Sequence, residues 1–270
     1  MPAKGVALVT GASYGLGAEI AKQLAAAKWE VVLVARSREK LRQVQAEIAQ
    51  ENGISLVLET DITDRKSVEN LARKTKEAFP GGVDIVVNNA AYVAPVHKFV
   101  EADMDEWERM LAVNVKGALT ITRTFLPEMV SKGKGKVIFI SSKAGVSPSP
   151  GLVVHSGTKH MVEAVAKGLR QELVGSGVAV GVVRPGGVNT PGYQHATGKN
   201  VAHLQDLVKV TAGSGESKEA MASLGCWVPP DASNCLDPED VAKMVINMVD
   251  VMDKADVTEI SIDNVKRTIK

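Results

Sequence analysis

Short apolar runs alternate with amphipathic stretches along most of the chain. Residues 6–9 (V-A-L-V) form the first run, and apolar positions then recur with helical spacing at Leu16, Ile20 and Leu24. Uninterrupted apolar runs of this length predict strands that are buried on both faces, and the helical spacing predicts a helix between them. Six more runs predict strands in the same way: residues 31–35, 54–58, 83–87, 137–140, 178–183 and 258–262.

This alternation predicts an α/β fold in which right-handed helical crossovers connect one doubly wound, parallel sheet of seven strands. Ser37 is the predicted cap of a helix that ends near Gln50, and other long helices are predicted from about Met104, over residues 153–174 and from Pro238. Residues 1–270 are predicted to form a single domain. Residues 191–237 lack clear periodicity, which is typical of a substrate lid.

The helix predicted from about Met104 is apolar on more than one face. We therefore expect part of it to pack against another subunit, which predicts a homodimer or a homotetramer. Burial in a thick core is the alternative explanation for the same pattern.

A glycine-rich turn follows the first predicted strand, with Gly11, Gly15 and Gly17 spaced as G-x-x-x-G-x-G. Glycine permits a tight turn and a close backbone approach, and the start of the next helix offers free N–H groups to an anion. The order of strand, glycine turn and helix predicts a site for the diphosphate of a nucleotide, although the spacing differs from the usual G-x-G-x-x-G. A glycine turn without a ligand is the alternative.

The second predicted strand ends at Ala35 and is followed by Arg36, where NAD-binding units carry an Asp or Glu for the ribose hydroxyls. An arginine at this place can pair with a 2′-phosphate, so NADP(H) is favoured over NAD(H). Solvated charges at a helix start are the alternative for Arg36 and Arg38. Asp61, just after the third strand, lies where an adenine amino group could be recognised, or it caps the next helix.

The charge of the chain is balanced, with 32 Lys and Arg against 31 Asp and Glu and a net charge of +1. This balance gives no basis for binding nucleic acid or an anionic membrane. No apolar run approaches the ~18 residues that a membrane span needs. Cys226 and Cys235 have no metal-ligand spacing, so we expect two ordinary thiols in a reducing compartment. These features predict a cytoplasmic protein without a metal site.

Taken together, the motifs resemble those of the classical, NADP-preferring short-chain dehydrogenase/reductase family, and the resemblance extends over essentially the whole chain. The motifs are T-G-A-S-Y-G-L-G at 10–17, D-I at 61–62, N-N-A-A at 88–91, N-V-K-G at 114–117, I-S-S at 140–142 and R-P-G-G-V-N-T at 184–190. The resemblance implies a Rossmann fold and hydride transfer between a nicotinamide and a carbonyl or carbinol carbon.

The resemblance also implies a role for each matching residue along the cofactor. Tyr14 stands where many NADP-dependent members carry a basic residue, so the expected preference depends on Arg36 and Ser13. The implied cofactor residues are Gly11, Ser13, Gly15, Leu16 and Gly17 for the diphosphate and adenosine ribose, Arg36 for the 2′-phosphate, Asp61 and Ile62 for the adenine, Asn88 and Ala90 for the inner ribose, Lys159 for the ribose next to the nicotinamide, and Pro185, Gly186, Val188 and Thr190 for the nicotinamide end.

The catalytic motif departs from the family at one position. The family uses a Tyr four residues before a Lys, together with an upstream Ser and an Asn. Lys159, Ser142 and Asn114 match this pattern, but His155 stands at the place of the Tyr, within H-S-G-T-K.

Three hypotheses follow from His155. In the first hypothesis, His155 replaces the phenol of the Tyr as the acid/base, since the ordinary histidine pKa of ~6.5 suits proton transfer. A neighbouring lysine cation would keep the ring neutral, and a bridging water would extend the reach of this shorter side chain. Alternatively, the protein binds NADP(H) as a catalytically silent sensor or scaffold. In the third hypothesis the pocket catalyses an elimination, an isomerisation or a cyclisation.

Other side chains could supply a substitute hydroxyl or imidazole, or they form the wall of the pocket and lid. These are Tyr92, His97, Tyr193 and His195. The apolar residues of the predicted lid indicate a partly apolar substrate: Leu204, Leu207, Met221, Leu224 and Trp227.

Overall fold

A sheet of parallel strands forms the centre of the computed structural model, which describes residues 2–197, 235–252 and 257–263. Within these ranges the sheet has seven strands in the order β3-β2-β1-β4-β5-β6-β7, and every neighbouring pair is parallel. The predicted sheet is therefore confirmed. The strands are β1 (Val6–Thr10), β2 (Glu30–Ala35), β3 (Ser55–Glu59), β4 (Ile85–Asn88), β5 (Gly135–Ile140), β6 (Val178–Pro185) and β7 (Glu259–Ile262).

Helices connect these strands and cover both faces of the sheet. They are α1 (Gly15–Ala26), α2 (Arg38–Gln50), α3 (Arg65–Ala78), α4 (Met104–Leu111), α5 (Ala118–Lys132), α6 (Val153–Glu172), α7 (Pro191–Thr197) and α8 (Pro238–Val251). One core cluster joins the sheet to α1, α2 and α8, and a second joins the opposite face to α3, α5 and α6. Alternate residues of β1 enter the two clusters, which explains why its sequence is apolar throughout.

Side chains cap the starts of four helices around the sheet, α2, α3, α4 and α8. Ser37 caps α2, as predicted, by accepting a hydrogen bond from the backbone N–H of Lys40. The capping alternative for Asp61 is wrong, because Asp64 caps α3 and accepts from two backbone N–H groups of its first turn. The Asp61 carboxylate instead accepts from the backbone N–H and hydroxyl of Thr63 at 2.9 and 2.7 Å.

The helix predicted from about Met104 is interrupted. A π-helical turn, Ala112–Gly117, separates α4 from α5 and contains Asn114. The Asn114 side chain accepts from the backbone N–H of Tyr92 at 2.7 Å and donates to the Tyr92 carbonyl at 2.9 Å. This pairing fixes the wide turn against the segment that follows β4, which hydrophobic periodicity alone does not indicate.

The strand order reverses between β1 and β4, and ligands of open parallel sheets bind at such a switch point. Of the predicted lid, 191–197 forms α7, while residues 198–234 lie outside the described residues together with Leu204, Leu207, Met221, Leu224, Trp227 and Cys226. In the ranges that are described, no helix combines the length and the apolar character needed to cross a membrane.

The glycine turn depends on a close contact that yields the first prediction. A Cβ built on Gly17 would collide with the Gly11 carbonyl oxygen and the Asn89 side-chain nitrogen. We expect Gly17→Ala to lower the free energy of unfolding by about 1–3 kcal/mol, since backbone atoms must shift. Urea unfolding measures this change.

Gly168 of α6 provides the matched control, because no described atom outside the neighbouring residues and backbone of its own helix lies within 4 Å of a Cβ built there. We expect Gly168→Ala to raise the free energy of unfolding by about 0.5–1 kcal/mol, because alanine lowers the conformational entropy of the unfolded chain. Equal effects of the two substitutions would contradict the packing argument.

Candidate active site

The glycine turn after β1 is held by hydrogen bonds from the segment after β4. The Thr10 hydroxyl donates to the Val87 carbonyl at 3.2 Å and accepts from the backbone N–H groups of Asn89 and Ala90 at 3.0 and 3.1 Å. The Asn89 side chain donates to the Thr10 carbonyl at 3.0 Å. Thr10 and Asn89 were not predicted as site residues. Their positions in the sequence could have indicated this role, because each lies next to a predicted site residue at the end of one of two neighbouring strands.

The start of α1 has the features of an anion site. Gly11 and Gly15 have positive φ angles of 68° and 59°, which glycine adopts without strain. Tyr14 precedes α1 without a side-chain capping bond, and the first turn contains no acidic residue. By contrast, side chains cap α2, α3, α4 and α8. The first N–H groups of α1 therefore remain available to an anionic group such as a diphosphate.

A basic depression lies beyond the carboxyl ends of β2 and β3. Its lining includes three cations, Arg36, Arg38 and Lys74, and two carboxylates, Glu59 and Asp61. Burial opposes the ionisation of Asp61, but the hydrogen bonds from Thr63 and the nearby Arg36 guanidinium hold the pKa of this carboxyl below its ordinary value. The structure thus brings together the residues predicted for the adenine and for the 2′-phosphate.

The residues predicted for the nicotinamide end of the cofactor lie close to the glycine turn predicted for its diphosphate. Gly186 follows β6, and its N–H donates to the Ile262 carbonyl at 2.9 Å. Val188 forms a parallel bridge with Leu236. A Cβ built on Gly15 would lie 3.2 Å from the Cβ of Thr190, so the segment after β6 faces the glycine turn.

Asn88, predicted beside the inner ribose, is buried at the end of β4. Its side-chain nitrogen donates to the Thr122 hydroxyl at 2.9 Å. Its side-chain oxygen is buried and has no hydrogen-bond partner within the described part of the chain. A buried polar atom without a partner is unusual and leaves one acceptor position open.

His155 and Lys159 lie on one face of α6, one turn apart. Their exposed fractions are only 7% and 6%. The Lys159 ammonium donates to the Ile140 carbonyl at 2.8 Å, which fixes it at the end of β5. The Nδ1 atom of His155 is buried and has no hydrogen-bond partner among the described residues.

The electrostatics of this pair follow from burial and proximity. Burial, and after it the nearby Lys159 ammonium, lowers the pKa of His155 to about 3, so the ring is neutral near pH 7. Burial also lowers the pKa of Lys159 to about 8, although the Glu163 carboxylate partly opposes this effect. Lys159 can therefore change its protonation state close to neutral pH.

Ser142 and Asn114 border the same helix. The Ser142 hydroxyl accepts from the Ala144 N–H at 3.1 Å and begins a short 3-10 turn, Lys143–Gly145. A Cβ built on Gly145 would lie 3.2 Å from the Cβ of Lys159, so this turn packs against α6. The Asn114 amide donates to the Thr158 hydroxyl at 3.3 Å as well as to Tyr92.

The four other candidate side chains have different surroundings. His97 lines a small, largely apolar cavity together with His155 and Trp107. The Tyr92 hydroxyl donates to the Glu106 carboxylate, and burial followed by this hydrogen bond raises the pKa of Tyr92. The exposed His195 ring lies 6.4 Å from the Tyr92 ring, centroid to centroid. Tyr193 belongs to α7.

A buried ion pair between Glu163 and Arg184 connects α6 to β6. Arg184, at the end of β6, donates two hydrogen bonds to the Glu163 carboxylate at 2.8 and 2.7 Å and also pairs with Glu259 of β7. The pair joins the helix that carries His155 to β6, the strand that ends at Pro185. Sequence reasoning missed Glu163, although it lies four residues after Lys159 and therefore on the same face.

Comparison with protein families matches residues 5–200 to the short chain dehydrogenase model. The chain is 38% identical over 241 residues to the glycine betaine reductase ATRR of Emericella nidulans, which covers 89% of the chain but only 17% of that longer protein. It is 39% identical over 189 residues to an uncharacterized oxidoreductase of Staphylococcus saprophyticus, covering 69% of the chain and 79% of the relative.

Two of the solved structures with similar architecture contain an NADP-type cofactor, and a 3-ketoacyl-(acyl-carrier-protein) reductase from Brucella melitensis contains NADH. An actinorhodin polyketide ketoreductase variant with NADPH has a TM-score of 0.80 at 26% identity and covers 98% of both chains. The alcohol dehydrogenase of Thermococcus sibiricus with 5-hydroxy-NADP has a TM-score of 0.77 at 25% identity and covers 97% of both chains.

The buried histidine yields a prediction about stability and pH. The folded pKa of about 3 lies below the ordinary value of ~6.5 for an unfolded chain. Only the unfolded chain takes up this proton between these pH values, so stability falls as the pH decreases from about 6.5 towards 3. From pH 7 to pH 5 this loss amounts to about 2 kcal/mol. We expect His155→Gln to remove it.

Urea unfolding at both pH values measures the effect. The difference in the free energy of unfolding between pH 7 and pH 5 is compared between the variant and the wild type. The contribution of the carboxylates is common to both proteins and cancels in this comparison. His160→Gln changes an exposed histidine of the same helix and is the matched control. An unchanged pH dependence in His155→Gln would show that the folded protein binds this proton as readily as the unfolded chain.

Proposed function

The chain belongs to the short-chain dehydrogenase family, and on this premise we propose that it interconverts a carbonyl and an alcohol with NADP(H) as cofactor. In this proposal the catalytic residues are Ser142, His155 and Lys159, and Asn114, which the sequence predicts beside them, is a positioning residue. The observation that carries it is the pair on α6: a buried neutral imidazole without a partner on Nδ1 lies one turn from a lysine whose pKa is about 8.

The residues present fit a dinucleotide. The first N–H groups of α1 have no side-chain cap and can donate to a diphosphate. The open acceptor on Asn88 is suited to a ribose hydroxyl. Arg36 and the depression around it suit a 2′-phosphate, which supports NADP(H) over NAD(H). When bound, the reduced nicotinamide supplies a hydride to the carbonyl carbon.

The protein's own residues handle the proton at the carbonyl oxygen. Ser142 would donate a hydrogen bond from its hydroxyl and orient that oxygen. The neutral His155 ring would donate the proton from one nitrogen and accept a replacement on the other. Lys159 is the proposed source of the replacement proton, because its lowered pKa lets it release one near neutral pH.

The remaining residues support this arrangement. The side-chain amide of Asn114 is hydrogen-bonded to Tyr92 and Thr158. We therefore propose that Asn114 positions the segment after β4 and the start of α6, and that it takes no direct part in proton transfer. The largely apolar cavity beside His155 favours a substrate whose non-reacting part is uncharged.

A homodimer or homotetramer is also part of the proposal. Several apolar side chains of α4, α5 and α6 are exposed in the single chain: Leu111, Val130, Val153 and Met161. Exposed apolar surface of this kind is typical of a subunit contact.

His155→Ala tests the proposed chemistry. We expect turnover of NADPH with a carbonyl substrate to fall at least ~100-fold, the usual contribution of a general acid, while NADPH affinity changes little. Absorbance at the NADPH band measures turnover, and fluorescence titration measures binding. The carbonyl panel includes uncharged, polyketide-like ketones and, as the charged comparison, aldehydes of glycine betaine type, because of what the related proteins are named for.

His160→Ala is the control for this test. Tight NADPH binding by the wild type without turnover on any carbonyl would favour the catalytically silent binder. His155→Tyr adds a second criterion: higher activity would mark the histidine as a loss of redox function, whereas lower activity agrees with a histidine adapted to the reaction.

A further inference from the structure

A small cavity lies beside His155, where the start of α6 meets the segment after β4. Its lining includes residues 151–155 and His97, and its other side chains are apolar apart from the indole of Trp107. The volume open to the centre of a water molecule is about 20 Å³. On this measure about 10–15 Å³ is enough to hold one water molecule. The cavity therefore has room for a single water.

Two kinds of polar group at the cavity wall lack a protein partner. The Nδ1 atom of His155 is buried without a hydrogen-bond partner among the described residues, and the residue as a whole is only 7% exposed. The start of α6 at Leu152 has no side-chain cap, so no capping side chain accepts from its first backbone N–H groups. Buried polar groups normally bond to protein atoms or to ordered water. Both features favour a small polar ligand in the cavity.

His97 supplies a further polar group for such a ligand. A buried water molecule typically makes about three hydrogen bonds. Its oxygen can accept from an N–H group at the start of α6, and its two hydrogens can be donated to Nδ1 of His155 and to a ring nitrogen of His97. Water fits the volume of the cavity, whereas an anion of several heavy atoms such as formate is too large for it.

A water at this place would solve a problem of proton balance. A neutral imidazole that only loses the proton on Nε2 becomes an imidazolate, so Nδ1 must gain a proton as Nε2 releases one to the substrate oxygen. The water supplies that proton and is left as a hydroxide, whose charge the positive end of the α6 dipole stabilises. The hydroxide then takes up the replacement proton, for which Lys159 is the proposed source.

We propose that one water molecule in this cavity carries the proton to Nδ1 of His155 and that His97 is the positioning residue that orients this water. This inference rests on the proposed function, because only a reacting His155 needs a proton on Nδ1. By donating to Nδ1, the water also selects the tautomer of the ring with its proton on Nε2. His97 then acts on the reaction only through the water and His155.

Heteronuclear NMR of the chain with isotope-labelled histidine tests the hydrogen bond without any turnover. We expect His155 to carry its proton on Nε2 and its Nδ1 resonance to show that this atom accepts a hydrogen bond. His97→Leu removes the polar ring at similar volume, so the Nδ1 resonance should move towards that of a free lone pair. His97→Gln keeps a hydrogen-bonding side chain and should retain the wild-type resonance. The signal that disappears in His155→Gln provides the assignment.

His160→Leu is the matched control, because it changes an exposed histidine of α6 that does not line the cavity. This variant should leave the His155 resonances unchanged. A proton on Nδ1 in the wild type, or equal Nδ1 resonances in the wild type and His97→Leu, would overturn the inference. Neither result depends on a substrate, so neither would touch the proposed function.

Steady-state kinetics test the role in catalysis. We expect His97→Leu to lower kcat for carbonyl reduction by NADPH about tenfold, as for loss of one hydrogen bond, with little change in KM. His97→Gln should retain most of the activity. The double variant, His97→Leu with His155→Ala, should be no slower than His155→Ala alone, because His97 acts through His155.

The kinetic outcomes separate this inference from the proposed function. Wild-type kcat in His97→Leu, together with the expected loss in His155→Ala, would overturn the inference and leave the proposed function intact. A raised KM with unchanged kcat would overturn it as well, by identifying His97 as a substrate contact. A wild type without turnover on any carbonyl would overturn the proposed function and, with it, the carrier role of the water.

Discussion

A buried ammonium group dominates the electrostatics of the candidate active site. Lys159 is held by the Ile140 carbonyl at the end of β5, with Glu163 one turn further along α6. Removing a charge from water is costly, so this lysine is stabilised by a carbonyl dipole and a nearby carboxylate. Burial first, and then this positive charge one turn away, lowers the pKa of His155 and keeps the imidazole neutral. The acid/base proposal depends on this constraint.

The carboxyl edge of the sheet brings the separate parts of the site together. Parallel strands all end at the same edge, so the segments after β1, β4, β5 and β6 meet there although they are far apart in sequence. Thr10 and Asn89 connect the first two segments, and the ion pair of Glu163 with Arg184 connects α6 with β6. The fold thus supplies a frame that holds the residues of the candidate site, among them His155 and Lys159, at one edge of the sheet.

Much of the architecture could be predicted from the sequence. Seven apolar runs predicted seven strands, and observed ends differ by at most two residues, as for Ile85–Asn88 against 83–87. Capping by Ser37 was predicted correctly, because such a cap is a local interaction. The sequence could not assign the cap of α3, since Asp61 and Asp64 have the same chemistry and only backbone geometry distinguishes them. The catalytic assignments and the cofactor preference remain predictions.

Local pattern therefore determined the elements, their order and the residue types at each strand end, because apolar periodicity and glycine or capping residues act over a few positions. Only the tertiary structure decided which polar groups meet. The π-helical turn at Asn114 arises from a contact with Tyr92, and the lowered pKa of Lys159 arises from burial at the end of β5. The contact between Tyr14 and Lys40 joins two helix starts that the sequence separates by a whole βα unit. Such contacts depend on the distance between chain segments in space, which a one-dimensional pattern does not contain.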